Sequence, residues 1–564
     1  MIEQQIQNKV SKLYGAEQAP SITADIMSLV KKWKESSTQY NEWVDEKTSY
    51  LITYGDSFQQ EGEKTLNTMK VFSDQYLKGA ISNIHILPMF PYTSDDGFSV
   101  VDYRKVDPNL GDWSQLNALS EHFDLMYDCV INHISKSSDW FQGYLAGDEQ
   151  YQDYFLDCDP SLDYSSVTRP RALPLLTPFK KADGTDVNVW TTFSDDQIDI
   201  NFKSPKILLE SIDILLMYAS NGGRSVRLDA IGFIWKKLGS TCIHLEEAHE
   251  IIKLWRLIMD EVIPGSIIIT ETNVPHKENI SYLGDGDEAH MVYQFPLPPL
   301  TLFSFMNEDS SVLTQWAKGL TKEAMENLKL GKKTTYFNFL ASHDGVGVRP
   351  TEGILSDDDR MAMCRMVERK GGRVNYKNNS DGTQSPYELN INYLSAITEP
   401  TDSDAVKAAK FIAAQSILLS FIGVPAIYYH SFLGSENDIA SMIESGINRR
   451  INREKLDLLA LESELNVEGS LRRRVYKEMI RLLHIRQNHT AFSPESEQCI
   501  LDLDNGVFGL KRGSGSNTIV FAVNLTSNDQ SIQLEQGGID LVSNTNISSQ
   551  TVLKPYQFVW VAPR

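Results

Sequence analysis

Three carboxylates close apolar runs in this chain, and the basic residues beside them suggest what they could do. Asp229 closes Ser225-Val226-Arg227-Leu228-Asp229, Glu271 closes Ile267-Ile268-Ile269-Thr270-Glu271, and Asp344 closes the run from Tyr336 to His343-Asp344. A fourth run, Leu125 to His133, carries Asp128 and His133. Taken singly, each acid has a duller reading, since an Asp at a strand–helix junction often caps the helix. Together, three carboxylates with Arg227, His133 and His343, and no metal-ligand cluster, suit a reaction that builds positive charge at carbon, such as glycosidic cleavage. One carboxylate must be ionised to attack, and another must hold a proton for the leaving oxygen. Arg227, two residues before Asp229 and so on the same strand face, is expected to keep Asp229 ionised with a low pKa. Glu271 follows an apolar strand, and a drier setting raises a carboxyl toward an acid's role.

Continuous apolar runs of this kind belong to parallel strands covered on both faces. Several of them ending in charged residues and alternating with helical patterns predict an α/β fold, a (β/α)8 TIM barrel with its site on the C-terminal rim. Leu51–Gly55, Ile84–Pro88, Met291–Phe295 and Ile422–Tyr429 supply the first, second, sixth and last strands. Residues 1–47 read as helices on the barrel's outside, with Ile2, Ile6, Val10 and Leu13 on one face and Ile26, Leu29, Val30 and Trp33 on another. The barrel then occupies 48–134, 200–345 and 396–492. Between 135 and 199 helical periodicity fades and Pro, Asp and Tyr become frequent, which predicts an inserted subdomain after the third strand. Residues 346–395, with the turn signal Lys377-Asn378-Asn379-Ser380-Asp381-Gly382, predict a loop-rich insertion over the site after the seventh. From 493 to 564 the apolar period becomes two, as in a small antiparallel β domain.

The 564 residues can bury a large core, and their 41% apolar and 23% charged content is ordinary for a globular protein. No apolar stretch approaches the ~18 residues of a membrane span. Met1-Ile2-Glu3-Gln4-Gln5-Ile6 lacks the basic start and apolar core of a signal peptide. The five cysteines are scattered without metal-type spacing, so a cytoplasmic protein with reduced thiols is expected. A net charge of −22 disfavours nucleic acid and anionic membranes as partners. An anionic substrate would need a local cluster of cations. A homodimer is compatible with the sequence.

The four motif segments, in this order, resemble the signature regions of the α-amylase superfamily, glycoside hydrolase family 13, and most closely its sucrose phosphorylase branch. The resemblance runs from about Leu51 to the C-terminus. It implies Asp229 as nucleophile, Glu271 as general acid/base and Asp344 as transition-state stabiliser, with Asp128, His133, Arg227 and His343 lining a glucose subsite. Asp95-Asp96-Gly97-Phe98 resembles the segment that closes the glucose pocket, which implies an Asp95–Arg449 pair at its far end and a role for Phe98. Phe193 and Gln197 resemble stacking and hydrogen-bonding positions, and Gly239-Ser240-Thr241-Cys242 resembles another motif of the branch. Arg169-Pro170-Arg171 is similar to a loop that brings an arginine, here Arg171, to phosphate, and Tyr387 to a second phosphate-side residue. The resemblance implies double displacement through a β-glucosyl enzyme, with a small α-glucoside and inorganic phosphate as partners and no cofactor or metal.

The chain departs from the sucrose pattern where that pattern meets fructose. Glu271-Thr272-Asn273 stands for Glu-Val-His, and Ser385-Pro386-Tyr387-Glu388 for Leu-Asp-Leu-Tyr-Gln, so Asn273 and Glu388 become candidate acceptor residues. The longer N-terminus, the 169–179 stretch and Glu271–Lys277 look most like the glucosylglycerate phosphorylases of the branch. That implies 2-O-α-glucosylglycerate as substrate, with sucrose, sucrose 6′-phosphate or glucosylglycerol, or plain hydrolysis, as the alternatives. The glycerate carboxylate would need a cation, for which Arg349 and Lys277 are candidates.

Overall fold

The computed structural model describes every residue except 36–39, 41–42, 172, 380–381 and 564. Eight parallel strands close into a barrel: β1 (Tyr50–Thr53), β2 (Asn83–Ile86), β3 (Asp124–Cys129), β4 (Ser225–Leu228), β5 (Ile267–Thr270), β6 (Met291–Tyr293), β7 (Thr335–Asn338) and β8 (Val424–Tyr428). Neighbours in sequence are neighbours in the sheet, and β8 closes on β1. Strands β1, β2, β4, β5 and β7 are buried at every position, as a wall covered on both faces requires.

Two of the runs are shorter as strands than the sequence suggests. Strand β7 stops at Asn338, so Asp344 arrives six residues beyond it on an irregular extension. Strand β3 stops at Cys129, and His133 opens a separate short strand, His133–Ser135, paired antiparallel with Gln197–Asp199. Apolar composition continues past the last ladder hydrogen bond in both, because the extensions are buried against neighbouring loops rather than paired in the barrel.

The N-terminal helices, Ile2–Tyr14 and Ala19–Lys34, pack on the outer helices Pro205–Ser220 and Glu246–Val262. Ile6, Val10, Ile26 and Val30 point inward and are buried. Lys12 pairs with Glu250 at 3.0 Å and Lys32 with Asp213 at 2.9 Å along the seam.

After β3 the chain forms the helix Asp139–Ala146 and the hairpin Leu176–Lys180/Asp186–Trp190. The second insertion, expected to be loop-rich, is more regular than that. It holds the helix Asp357–Arg369 and a three-stranded sheet of Val346–Gly347, Gln384–Asn390 and Arg373–Asn378. Three aspartates in the first turn and a Ser356/Asp359 capping box define that helix locally, while Met363, Cys364, Met366 and Val367 are the residues it buries. The turn signal at 377–382 begins on the last two residues of the strand Arg373–Asn378 and runs into the connection to Gln384–Asn390, with Ser380 and Asp381 outside the described residues. The C-terminal region is a six-stranded antiparallel sheet with a separate two-stranded pair. No helix among the described residues is long and apolar enough to cross a membrane.

Candidate active site

Strand register places the first charges. Asp128 and Arg227 are cross-strand partners on β3 and β4, and the ladder continues past β4, with Asp229 N–H donating to Cys129 O at 3.2 Å and Glu271 N–H to Leu228 O at 3.1 Å. Arg227, 2% exposed, therefore sits among three acids. Its Nη1 bonds Asp128 Oδ1 and, at 2.7 Å, Asp229 Oδ1, while Nη2 lies 3.6 Å from Glu271 Oε2. Its Nε donates to the Tyr293 hydroxyl at 3.1 Å. Ala230 turns the chain out of β4 at φ 47°, and its N–H reaches Glu271 Oε2 at 3.3 Å.

Asp344 is fixed from the other side. Arg449 Nη1 lies 2.7 Å from its Oδ1, with Arg453 Nη2 at 3.6 Å and His343 Nε2 at 3.5 Å. Arg453 Nε also donates to His343 O at 2.8 Å, and Asn452 to Ser342 O at 3.0 Å, so the 448–453 segment ties down the irregular run after β7.

These surroundings separate the three acids. Burial pushes the Glu271 carboxyl up to about 7; Arg227 opposes that rise, and the charges of Asp229 and Asp344 add to it. Asp344 is buried too, but Arg449, His343, Arg453 and Arg227 hold its carboxyl far below the usual range. Burial, with Asp128 adding its charge, pushes Asp229 above its ordinary value in spite of Arg227. The expectation of a low pKa at Asp229 is thus corrected: one guanidinium shared among three carboxylates does not offset desolvation at each of them. His133 and His343 are driven down chiefly by burial, so both are neutral imidazoles at pH 7.

One cavity gathers most of the residues singled out in the sequence: Asp95, Phe98, His133, Arg171, Phe193, Gln197, Asp229, Glu271, His343, Asp344, Tyr387 and Arg449. Phe98 stacks on His343 with ring centroids 4.9 Å apart. Gln197 Nε2 donates to Phe98 O at 3.1 Å, and Phe193 packs on His133. Phe98 reaches this position through a backbone that only glycine allows. At Gly97, φ 111°, a Cβ would lie 2.8 Å from Pro88 O, too close for any side chain. A second cavity adjoins the first at Glu271, His343 and Asp344, and it is here that Asn273 and Arg227 lie.

Several expected contacts are not made. Asp95 does not pair with Arg449; its Oδ2 receives Arg171 Nη2 at 3.2 Å and Gln197 Nε2 at 3.3 Å. Arg449 is instead taken by Asp344 and by Glu388, whose two oxygens meet its Nε and Nη2 at 3.0 and 2.8 Å. Glu388, only 2% exposed, is therefore a support beneath Arg449 rather than an acceptor contact. Asp128 lies under the cavity floor, held by Arg227 and by His85 Nε2 at 2.6 Å. Lys277 is a solvated charge on the exposed face of the short helix His276–Ile280. Arg349 is half-buried, two residues beyond Gly347.

Four contributors escaped the sequence reading. His85 orients Asp128, Tyr293 braces Arg227, and Arg453 steadies Asp344. Asp96 accepts from Arg450 and Arg453 at 2.7 Å each. The Arg449-Arg450-Arg453 cluster was the available signal, since three arginines this close need acids. Glu388→Gln is expected to lower stability by about 2 kcal/mol, because one partner of a shielded bidentate pair loses its charge. A urea midpoint equal to that of the wild type would show that Asp344 alone holds Arg449.

A closed parallel barrel carrying three carboxylates at its C-terminal rim is the architecture of α-amylase catalytic domains, and the alpha-amylase catalytic-domain family matches residues 52–379, more than half of the chain. The chain belongs to that family. Among curated proteins it is 44% identical to a glucosylglycerate phosphorylase of Escherichia coli, over 99% of this chain and 100% of that protein. It is 45% identical to a glucosylglycerate phosphorylase of Allomeiothermus silvanus, over 99% and 98%. A sucrose phosphorylase of Streptococcus mutans matches at 29%, over 86% and 98%. The crystal structure of sucrose 6F-phosphate phosphorylase from Thermoanaerobacter thermosaccharolyticum shares the fold, with a TM-score of 0.73 and 23% identity over 90% of this chain and 98% of that one.

Proposed function

We propose that this chain is a retaining glucoside phosphorylase that cleaves 2-O-α-glucosylglycerate with inorganic phosphate, releasing α-D-glucose 1-phosphate and glycerate. Asp229 attacks the anomeric carbon as the glycosidic C–O bond breaks, and Glu271 gives its proton to the departing glycerate oxygen. The product is a β-glucosyl ester on Asp229. A phosphate oxygen then attacks the same carbon, the ester bond breaks to return the Asp229 carboxylate, and the phosphate proton passes to Glu271. Two inversions leave the α configuration. Asp344, held ionised by Arg449, offers negative charge to the oxocarbenium-like transition state. That Asp229 and Glu271 both lie against the single guanidinium of Arg227 supports a retaining mechanism, in which the two carboxyls stand ~5–5.5 Å apart.

The observation that carries phosphate over water is Arg171, which lines the same cavity as Asp229 and Glu271 together with Tyr387. A guanidinium suits a tetrahedral oxyanion and gives an acidic protein the local cation its substrate needs. It rests on Asp95, so phosphate and Asp95 compete for it. The length of the similarity to the two glucosylglycerate phosphorylases supports glycerate as the acceptor. Five free cysteines support the cytoplasm as the compartment.

The deciding experiment incubates the enzyme with glucosylglycerate, sucrose, sucrose 6′-phosphate and glucosylglycerol, with and without phosphate. Phosphate-dependent glucose 1-phosphate from glucosylglycerate is expected. Free glucose at the same rate with or without phosphate would make the protein a glucosidase instead. Arg171→Gln is expected to shift the ratio of phosphorolysis to hydrolysis by about 100-fold toward hydrolysis, the effect of removing one charged, bidentate contact. An unaltered ratio would remove Arg171 from the phosphate site.

A further inference from the structure

Three side chains on three different loops each carry a buried polar atom with no hydrogen-bond partner, and one of them, Asn273, follows Glu271 by two residues. Arg349, on the chain beyond β7, is half-buried, its Nε is fully shielded and unbonded, and it forms no ion pair with any described residue. Arg449, Arg450 and Arg453 all hold carboxylates, so an arginine left without one is unusual in a chain of net charge −22. His244, on the loop between β4 and the helix Glu246–Val262, bonds the Tyr282 hydroxyl through Nδ1 and leaves a buried Nε2 unbonded. The nearest acid to that nitrogen is Glu278 Oε2 at 3.8 Å, beyond hydrogen-bond reach. Asn273, two residues after Glu271, has a buried Oδ1 with no partner.

The three loops lie together. A Cβ at Gly347 would stand 3.1 Å from the Asn273 amide, so the chain leading to Arg349 runs against that side chain. Val348 N–H donates to Tyr387 O at 3.1 Å, which ties the same chain to the strand bearing Tyr387. Burial, His249 and the charge of Arg349 together depress His244 to about 4. Its ring is thus neutral, and in the tautomer in which Nδ1 accepts from the Tyr282 hydroxyl, Nε2 carries the proton and can donate. Buried polar groups are ordinarily paired, and a cluster of unpaired ones beside an acid/base is explained by a ligand that completes it.

We propose that Arg349 is the anchor for a carboxylate on the acceptor, with His244 Nε2 donating beside it and Asn273 Oδ1 accepting from a neighbouring acceptor hydroxyl. The assignment rests on the phosphorylase reading and sharpens it: acceptor choice is a choice of charge, made by a guanidinium that meets both oxygens of a planar anion. Lys277, exposed on a surface helix, takes no part.

The test runs the reaction in the direction of synthesis, from glucose 1-phosphate with D-glycerate or with glycerol, which has the same carbon skeleton without the charge. In Arg349→Gln the ratio of kcat/KM for glycerate over glycerol is expected to fall by about 100-fold, mostly through KM for glycerate. Hydrolysis of glucose 1-phosphate, which involves no acceptor, is followed alongside to report that the site is assembled. If Arg349→Gln loses that hydrolysis as well, the same ratio is read in Arg349→Lys, where a fall of at least about 10-fold is expected because the fork is gone and the charge remains. A ratio equal to that of the wild type, in whichever variant is read, overturns the assignment while leaving the phosphorylase intact. A wild-type enzyme that glucosylates glycerol but not glycerate would instead overturn the acceptor reading on which the assignment rests.

Discussion

Asp229→Asn is expected to release glucose 1-phosphate from glucosylglycerate at least about 10⁵-fold more slowly than the wild type, a loss of about 7 kcal/mol of transition-state stabilisation. An amide neither attacks the anomeric carbon nor forms the ester that phosphate later displaces, so both half-reactions stop together. The fold has no reason to suffer. Arg227 keeps Asp128 on one nitrogen and Glu271 near another, and Asp229 is itself a carboxyl that burial makes harder to ionise. Removing its charge therefore relieves desolvation while leaving the guanidinium paired, and a melting temperature at or above that of the wild type is expected. Rate and stability measured on the same preparation separate the two effects. Turnover of more than about 1% of wild type in a correctly folded Asp229→Asn protein would mean that another residue is the nucleophile.

Glu271→Gln is expected to slow phosphorolysis of glucosylglycerate by about 10³–10⁴-fold, the usual scale for losing a general acid. The loss should nearly vanish with α-glucosyl fluoride as donor, because fluoride departs without a proton. This contrast distinguishes an acid from a residue that merely shapes the cavity, whose removal would slow both donors alike. The pH dependence follows from the same group. With its carboxyl pushed up to about 7, Glu271 is protonated below that pH and able to donate; above it, phosphorolysis should fall about tenfold per unit. In synthesis glycerate must lose a proton to Glu271 as it attacks, so the ionised form is needed and the optimum should move to higher pH. Coincident profiles in the two directions would place the proton transfers elsewhere. In Glu271→Gln the limb near 7 should disappear.

Most of the barrel was legible because its strands are buried on both faces, and burial writes itself into composition as runs such as Ile267-Ile268-Ile269. The N-terminal helices were legible through the period at which Ile6, Val10, Ile26 and Val30 recur. The helix Asp357–Arg369 was not, because it buries few residues and depends on an acidic first turn and a capping box for its definition. Its low apolar content resembles a loop.

Spacing along one strand brought Arg227 and Asp229 to the same face, and the ends of four apolar runs located Asp229, Glu271, Asp344 and His133, because both are local consequences of backbone geometry. Which acid each arginine takes was decided only by the assembled barrel. Arg449 meets Glu388 and Asp344 instead of Asp95, Arg171 settles on Asp95, and His85 comes under Asp128. Those partners are separated by about forty to a hundred residues, and ion pairing is selected by distance in space among several candidates of the same charge. The ordering of the three carboxyls belongs to the tertiary structure for the same reason. A pKa is set by how much water a fold removes and how many neighbours share one guanidinium, and neither quantity is written in the residues that flank the acid.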